Sequence, residues 1–115
     1  MPDSARSRIL FVDDEAEITA ILTDLFEGQY DCATAGSAEE AIDRIRQCDF
    51  ELVVSDITMP GTMDGDQLAE WISERYPAIR ILLTSGITQR GRQPFIAKPY
   101  SFIELERRIE KMLAG

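Results

Sequence analysis

Two hydrophobic periods alternate along the chain. Ile9-Leu10-Phe11-Val12, Leu52-Val53-Val54 and Ile81-Leu82-Leu83 are short apolar runs that end in polar or turn-forming residues. This is the pattern of strands buried on both faces of a parallel sheet. Tyr30 to Ala35 forms a weaker second strand, and Phe95-Ile96-Ala97 a short fifth. Between these runs the spacing changes. Ile18, Ile21, Leu22, Leu25 and Phe26 mark one face of a helix, which Gly28 is expected to end in the left-handed conformation. Ser37-Ala38-Glu39-Glu40 reads as a capping box before a helix with a small-residue face at Ala38, Ala41, Ile42 and Ile45. A third helix is expected from about Asp66, with Leu68, Ala69, Ile72 and Tyr76 inward, Trp71 packing at the rim and Pro77 as its stop. Ser101-Phe102-Ile103-Glu104 opens a last helix whose face is Phe102, Leu105, Ile109, Met112 and Leu113.

Regular alternation of strand and helix implies an α/β fold with helices on both faces of a parallel sheet. Right-handed crossovers leave few arrangements of five strands, of which the flavodoxin-like, doubly wound order 2-1-3-4-5 leads. One domain is expected over residues 1–115, with an ordered core of about 8–114 and a flexible N-terminus at 1–7. Only thirteen residues separate Thr84 from Lys98, and Ser85 to Gln93 holds two glycines and one apolar residue. No amphipathic face can form there, so a loop or at most one turn is expected and helix 4 of the full pattern is reduced or missing.

Charge narrows the function. Twelve Lys and Arg against 21 Asp and Glu give a formal charge of −9, a field that repels a phosphate backbone and argues against direct nucleic-acid binding. Cys32 and Cys48 lie in no metal-type spacing and read as buried reduced thiols, as in a cytoplasmic protein. No apolar run reaches membrane-spanning length.

In the order 2-1-3-4-5, strands 1 and 3 meet at the switch point, where ligands bind in open α/β sheets. Their ends carry Asp13, Asp14 and Asp56. Three converging carboxylates repel one another, and a hard divalent cation such as Mg²⁺ removes the conflict. The Thr84 hydroxyl and Lys98 ammonium at neighbouring strand ends complete a set suited to phosphoryl transfer onto an aspartate.

The run from Ile9 to Glu15, Asp56, the Met59-Pro60-Gly61-Thr62-Met63-Asp64-Gly65 loop, Thr84 and Lys98-Pro99 resemble, in order and over nearly the whole chain, the CheY-like receiver domain of two-component response regulators. The resemblance implies that Asp56 is the phosphoacceptor and that Asp13, Asp14, Asp56 and the Thr58 backbone carbonyl hold Mg²⁺ or Mn²⁺. It also implies that Lys98 binds the phosphoryl group before a cis Lys98-Pro99 peptide, and that Thr84 and Phe95 form the switch. It implies phosphorelay signalling rather than enzyme action, beyond self-phosphorylation and autodephosphorylation. The chain has no histidine, so a histidine kinase, a histidine phosphotransfer protein or a small phosphodonor must supply the phosphoryl group. The donor's contact is placed near Glu15, Glu17 and the start of helix 1, and the output partner is an unidentified protein. The alternative is a phosphorylation-independent pseudo-receiver. A phosphatase would need a strong acid or base that Thr58 does not supply, and a flavodoxin would need a phosphate-cradling loop after strand 1.

Overall fold

In the computed structural model, which describes residues 6–59, 61–85 and 93–114, the apolar runs become the strands β1 (Arg8–Val12), β2 (Asp31–Ala35), β3 (Leu52–Asp56), β4 (Arg80–Ser85) and β5 (Phe95–Ala97). The helices among the described residues are α1 (Ala16–Phe26), α2 (Ala38–Gln47), α3 (Gly65–Arg75) and α4 (Phe102–Ala114). All strand pairs are parallel, in the order β2-β1-β3-β4-β5. The expected loop or single turn at 85–93 falls largely on residues 86–92, outside the described residues.

Side chains of a strand alternate between faces, and that period divides the core in two. Leu10 and Val12 of β1 join Val53, Ile81 and Leu83 under Ala38, Ala41 and Ile45 of α2 and Leu68, Ala69 and Ile72 of α3. Ile9 and Phe11 join Leu52, Val54, Leu82 and Ile96 under Leu22 and Phe26 of α1 and Leu105 and Ile109 of α4. The strands with apolar residues on both faces are therefore covered on both faces. Trp71 packs at the edge of the first cluster, 5.8 Å from the Tyr76 ring, with the Arg46 and Arg75 guanidinium groups 5.6 and 5.0 Å from its centroid.

Several local expectations are corrected. The buried face of α1 is Thr19, Leu22 and Phe26, while Ile21 and Leu25 are 44% and 46% exposed. The sheet covers a narrower stripe than the apolar spacing marks, and these two residues lie beyond it. Phe102 is likewise 47% exposed, because α4 turns inward only from Leu105. Gly28 is not left-handed; among the described residues Gly61 alone has a positive φ. α1 ends instead through Glu27, and the Phe26 carbonyl accepts from Gln29 and Tyr30, each at 3.0 Å. Cys48 is exposed and Cys32 half-buried; burial first of all pushes the Cys32 thiol up to about 11. Both are free thiols.

Arg6 and Ser7 belong to the packed structure. Arg6 pairs with Asp31 at 3.8 Å and donates to the Glu27 and Tyr30 carbonyls, and the Ser7 carbonyl accepts from Asp31 at 2.9 Å. This extends the β1–β2 ladder one step before Arg8.

Phe11 is fully buried, and its ring stacks on Phe26 with centroids 5.9 Å apart, which joins β1 to α1. Phe11→Ala is expected to lower unfolding free energy by about 3–5 kcal/mol in urea titration. A loss below about 1 kcal/mol would show that this cluster is not part of the core.

Candidate functional site

The β1 and β3 ends deliver their acidic residues because each strand passes straight from buried apolar residues into the polar edge. Val12 pairs in register with Ser55, which sets Asp13 beside Asp56, while Asp56 itself is opposite Thr84. Asp13 continues the ladder one step, its amide donating to the Ala35 carbonyl at 3.1 Å. Both carboxylates are sunk into the edge: Asp13 is 5% and Asp56 9% exposed, whereas Asp14 is open to solvent. One oxygen from each of Asp13, Asp14 and Asp56 lies within 4.8 Å of the others.

Each buried carboxylate divides its two oxygens between backbone and cation. Asp13 Oδ1 accepts from the Glu15 amide at 2.9 Å and Oδ2 faces Lys98 Nζ at 3.7 Å. Asp56 Oδ1 accepts from the Thr58 amide at 3.3 Å and Oδ2 faces the same ammonium at 3.3 Å. The first of these contacts also starts α1, where Asp13 turns the chain through the Glu15 amide and Glu15 makes no side-chain cap of its own. Lys98 is placed by its amide, which donates to the Ser85 carbonyl at 2.7 Å, and by the cis Lys98–Pro99 peptide.

Burial pushes the Asp13 carboxyl above its ordinary value, opposed by the Glu15 amide and Lys98 and reinforced by Asp56 and Asp14. Burial acts to lower the Lys98 ammonium, but the Asp56 and Asp13 carboxylates outweigh it and hold it above its ordinary value. One cation therefore sits between two buried anions, with a third at the rim. The net negative charge and the oxygen-only donor set suit Mg²⁺ or Mn²⁺, hard cations that accept carboxylates and a carbonyl and keep open positions.

Of the remaining residues singled out from sequence, Thr84 is buried at the end of β4, where its carbonyl accepts from the Ile57 amide at 2.9 Å. Phe95 is half-buried against the α2–α3 cluster, three residues before Lys98. Thr58 is exposed and meets Asp56 through its amide.

Sequence reasoning missed the device that holds the following loop. Asp64 and Gln67 form a reciprocal capping box at the start of α3, each accepting from the other's amide at 2.9 Å. The Asp-x-x-Gln spacing was visible, and the helix it caps begins at Gly65, one residue from the expected start at about Asp66. Gly65 lies against the strand end itself: a Cβ there would stand 2.2 Å from the Asp56 carbonyl oxygen and 2.7 Å from Ile57 Cα, so only glycine lets α3 start this close to Asp56.

Asp13→Asn keeps the acceptor for the Glu15 amide and removes one buried charge. In EDTA it is expected to raise unfolding free energy at pH 7 by about 1 kcal/mol. Because the Asp13 carboxyl is raised in the folded state, its ionised form opposes folding above that raised value, and the opposition fades as pH falls through it. The advantage of the variant should therefore shrink on acidification towards the ordinary carboxylate range, as measured by urea titration at several pH values. A variant less stable than the parent at pH 7 would contradict this electrostatic reading.

Comparison with known proteins gives the family. The model for the response regulator receiver domain matches residues 9–110. The response regulator protein FleR of Pseudomonas aeruginosa is 32% identical over 104 residues, covering 82% of this chain and 22% of FleR, so the chain spans about a fifth of that relative. The response regulator TrrA of Thermotoga maritima, solved in complex with Mg²⁺–BeF, is 30% identical, with a TM-score of 0.82 over 92% of this chain and 98% of that one. A CheY-like receiver domain protein from Methanospirillum hungatei is 26% identical, with a TM-score of 0.88 over 96% and 95% of the two chains. With the strand order, the acidic edge and a match running from Ile9 to Glu110, this chain belongs to the response regulator receiver domain family of two-component signalling.

Proposed function

We propose that the chain is a phosphorylatable receiver, in which Asp56 accepts a phosphoryl group from a histidine kinase or histidine phosphotransfer protein. The observation that carries this reading is the Lys98 ammonium 3.3 Å from Asp56 and 3.7 Å from Asp13, inside a cluster that Asp14 completes. A carboxylate oxygen of Asp56 attacks phosphorus, the P–O bond forms as the P–N bond to the donor imidazole breaks, and the imidazole leaves with the bonding pair. Asp13, Asp14, Asp56 and the Thr58 carbonyl would hold Mg²⁺ or Mn²⁺. Such a cation, when bound, neutralises charge on the transferring phosphoryl oxygens.

Lys98 is placed to stabilise those oxygens on the other side, by a charge-assisted hydrogen bond that replaces its contact with Asp56. Thr84, one strand over, offers a hydroxyl to the phosphoryl group, and Phe95 follows as the second part of the switch. Phe95 is half-buried at the edge of the core cluster that α2 and α3 cover, next to β4, where a change at Thr84 would reach it. The product is a covalent signal read by protein contacts, not turnover of a separate substrate. We assign residues 1–115 to this one receiver domain and place it in the cytoplasm; no described helix is long and apolar enough to cross a membrane.

The donor has a surface to meet. Glu15, Ile18 and Ile21 of the α1 side face Pro99, Tyr100 and Phe102 across a groove of about 490 Å³ that Lys98 also lines. Exposed apolar residues on this groove, Ile21 and Phe102 among them, suit a helical donor carrying an apolar stripe, close to the proposed acceptor carboxylate.

Intact mass after incubation with Mg²⁺ and acetyl phosphate tests the chemistry. One added phosphoryl group is expected, lost in EDTA and absent from Asp56→Asn; no gain in the unaltered protein would refute the assignment. Ile21→Lys should leave acetyl phosphate labelling unchanged while slowing transfer from a phosphohistidine protein about tenfold. Equal transfer rates would remove the groove from the donor interface.

A further inference from the structure

The loop between β3 and α3 is held at two points. Its base is closed by the Gly65 amide, which donates to the Ile57 carbonyl at 2.8 Å, and by the packing of Gly65 on Asp56. Its tip is held by a different helix. The Thr62 hydroxyl donates to Glu39 Oε2 in the first turn of α2. Gly61, with φ of +107°, lies so near the same carboxylate that a Cβ there would stand 3.3 Å from Oε1. The Thr62 hydroxyl, and then the residue's own amide, keep the Glu39 carboxyl below its ordinary value, so the acceptor is charged at neutral pH. The first turn of a helix is also where a carboxylate is electrostatically favoured.

The location gives this contact a consequence. Ala35, whose carbonyl accepts from the Asp13 amide at 3.1 Å, ends β2 and is joined to α2 by Gly36 and Ser37, so Glu39 ties the β3–α3 loop to the helix that follows the strand end beside Asp13. Thr58 lies between the two anchors, and its amide reaches Asp56 at 3.3 Å, a long bond that depends on where the loop holds the backbone. A loop fixed only at its base must lose conformational freedom when a cation is bound; one fixed at its tip has already lost it.

We propose that Glu39 is a positioning residue for the cation site: through Thr62 it pre-orders the backbone around Thr58 and thereby tightens divalent-cation binding at Asp13, Asp14 and Asp56. The inference rests on the Mg²⁺ reading of the cluster. It assigns a role to a residue that reaches the site only through the loop, and it explains why an exposed glutamate is engaged on both Gly61 and Thr62.

The test measures Mg²⁺ affinity by isothermal titration calorimetry, and amide hydrogen exchange of Thr58, Met59, Gly61 and Thr62 in EDTA, for Glu39→Ala, Thr62→Val, the double variant and Thr62→Ser. Glu39→Ala and Thr62→Val are each expected to weaken Mg²⁺ binding on the order of tenfold and to speed metal-free exchange of the loop. The double variant should be no worse than either single, because one contact is being removed twice. Thr62→Ser, which keeps the hydroxyl, should retain the parent affinity. Both residues are exposed, so urea midpoints should stay near that of the parent. Unchanged affinity in both single variants, or losses that add in the double, would overturn the proposal. Failure of the unaltered protein to bind Mg²⁺ would instead strike the receiver chemistry, and the metal-free exchange would still decide whether Glu39 orders the loop.

Discussion

Two buried carboxylates facing a single ammonium are the constraint to which the rest of this structure answers. Asp13 and Asp56 sit side by side because β1 and β3 are neighbours, and they are buried because both strands are covered on both faces. Lys98, carried from β5 across the end of β4, offsets the repulsion without cancelling it, since with Asp14 three carboxylates meet one ammonium. That surplus is what suits the edge to a divalent cation, the feature on which the proposed phosphoryl transfer rests.

Backbone contacts hold this arrangement where side chains alone would relax. The Glu15 and Thr58 amides each fix one oxygen of a carboxylate and leave the other turned towards Lys98. Gly65 lets α3 begin against the Asp56 carbonyl, Asp64 and Gln67 cap that start, and Thr62 reaches Glu39 on α2. The site is thus framed by rigid element ends, which keep the three carboxylates and the ammonium in register without a closed cage.

Much of this was legible in the sequence, for identifiable reasons. Unbroken apolar runs ending in Asp13 and Asp56 signal buried parallel strands, and strand alternation with right-handed crossovers then fixes which ends are adjacent. Lys98 and Thr84 followed from the same logic at β5 and β4. What was not legible depends on packing between distant segments. The spacing of Ile18 to Phe26 shows that α1 is amphipathic but not how wide a stripe the sheet covers, so the exposure of Ile21 and Leu25 appears only in the fold. Gly28 looks like a left-handed helix stop, yet a run of turns through Glu27 ends α1 without it. The Glu39–Thr62 contact joins residues 23 apart and follows no local motif. The Asp64 box is the exception, a local signal that was present and passed over.

If the cluster is a cation site built from frustrated charge, folding must be linked to cation concentration, because the folded chain alone brings the three carboxylates together. The most direct measurement is the urea unfolding free energy of the unaltered protein in EDTA and across a Mg²⁺ series, beside Asp14→Asn, whose side chain is exposed and carries no described packing. Stability of the unaltered protein should rise with Mg²⁺ by about 1.4 kcal/mol per tenfold once the site saturates, while the variant responds weakly. A stability that is flat in Mg²⁺, or that rises equally in both proteins, would contradict the account.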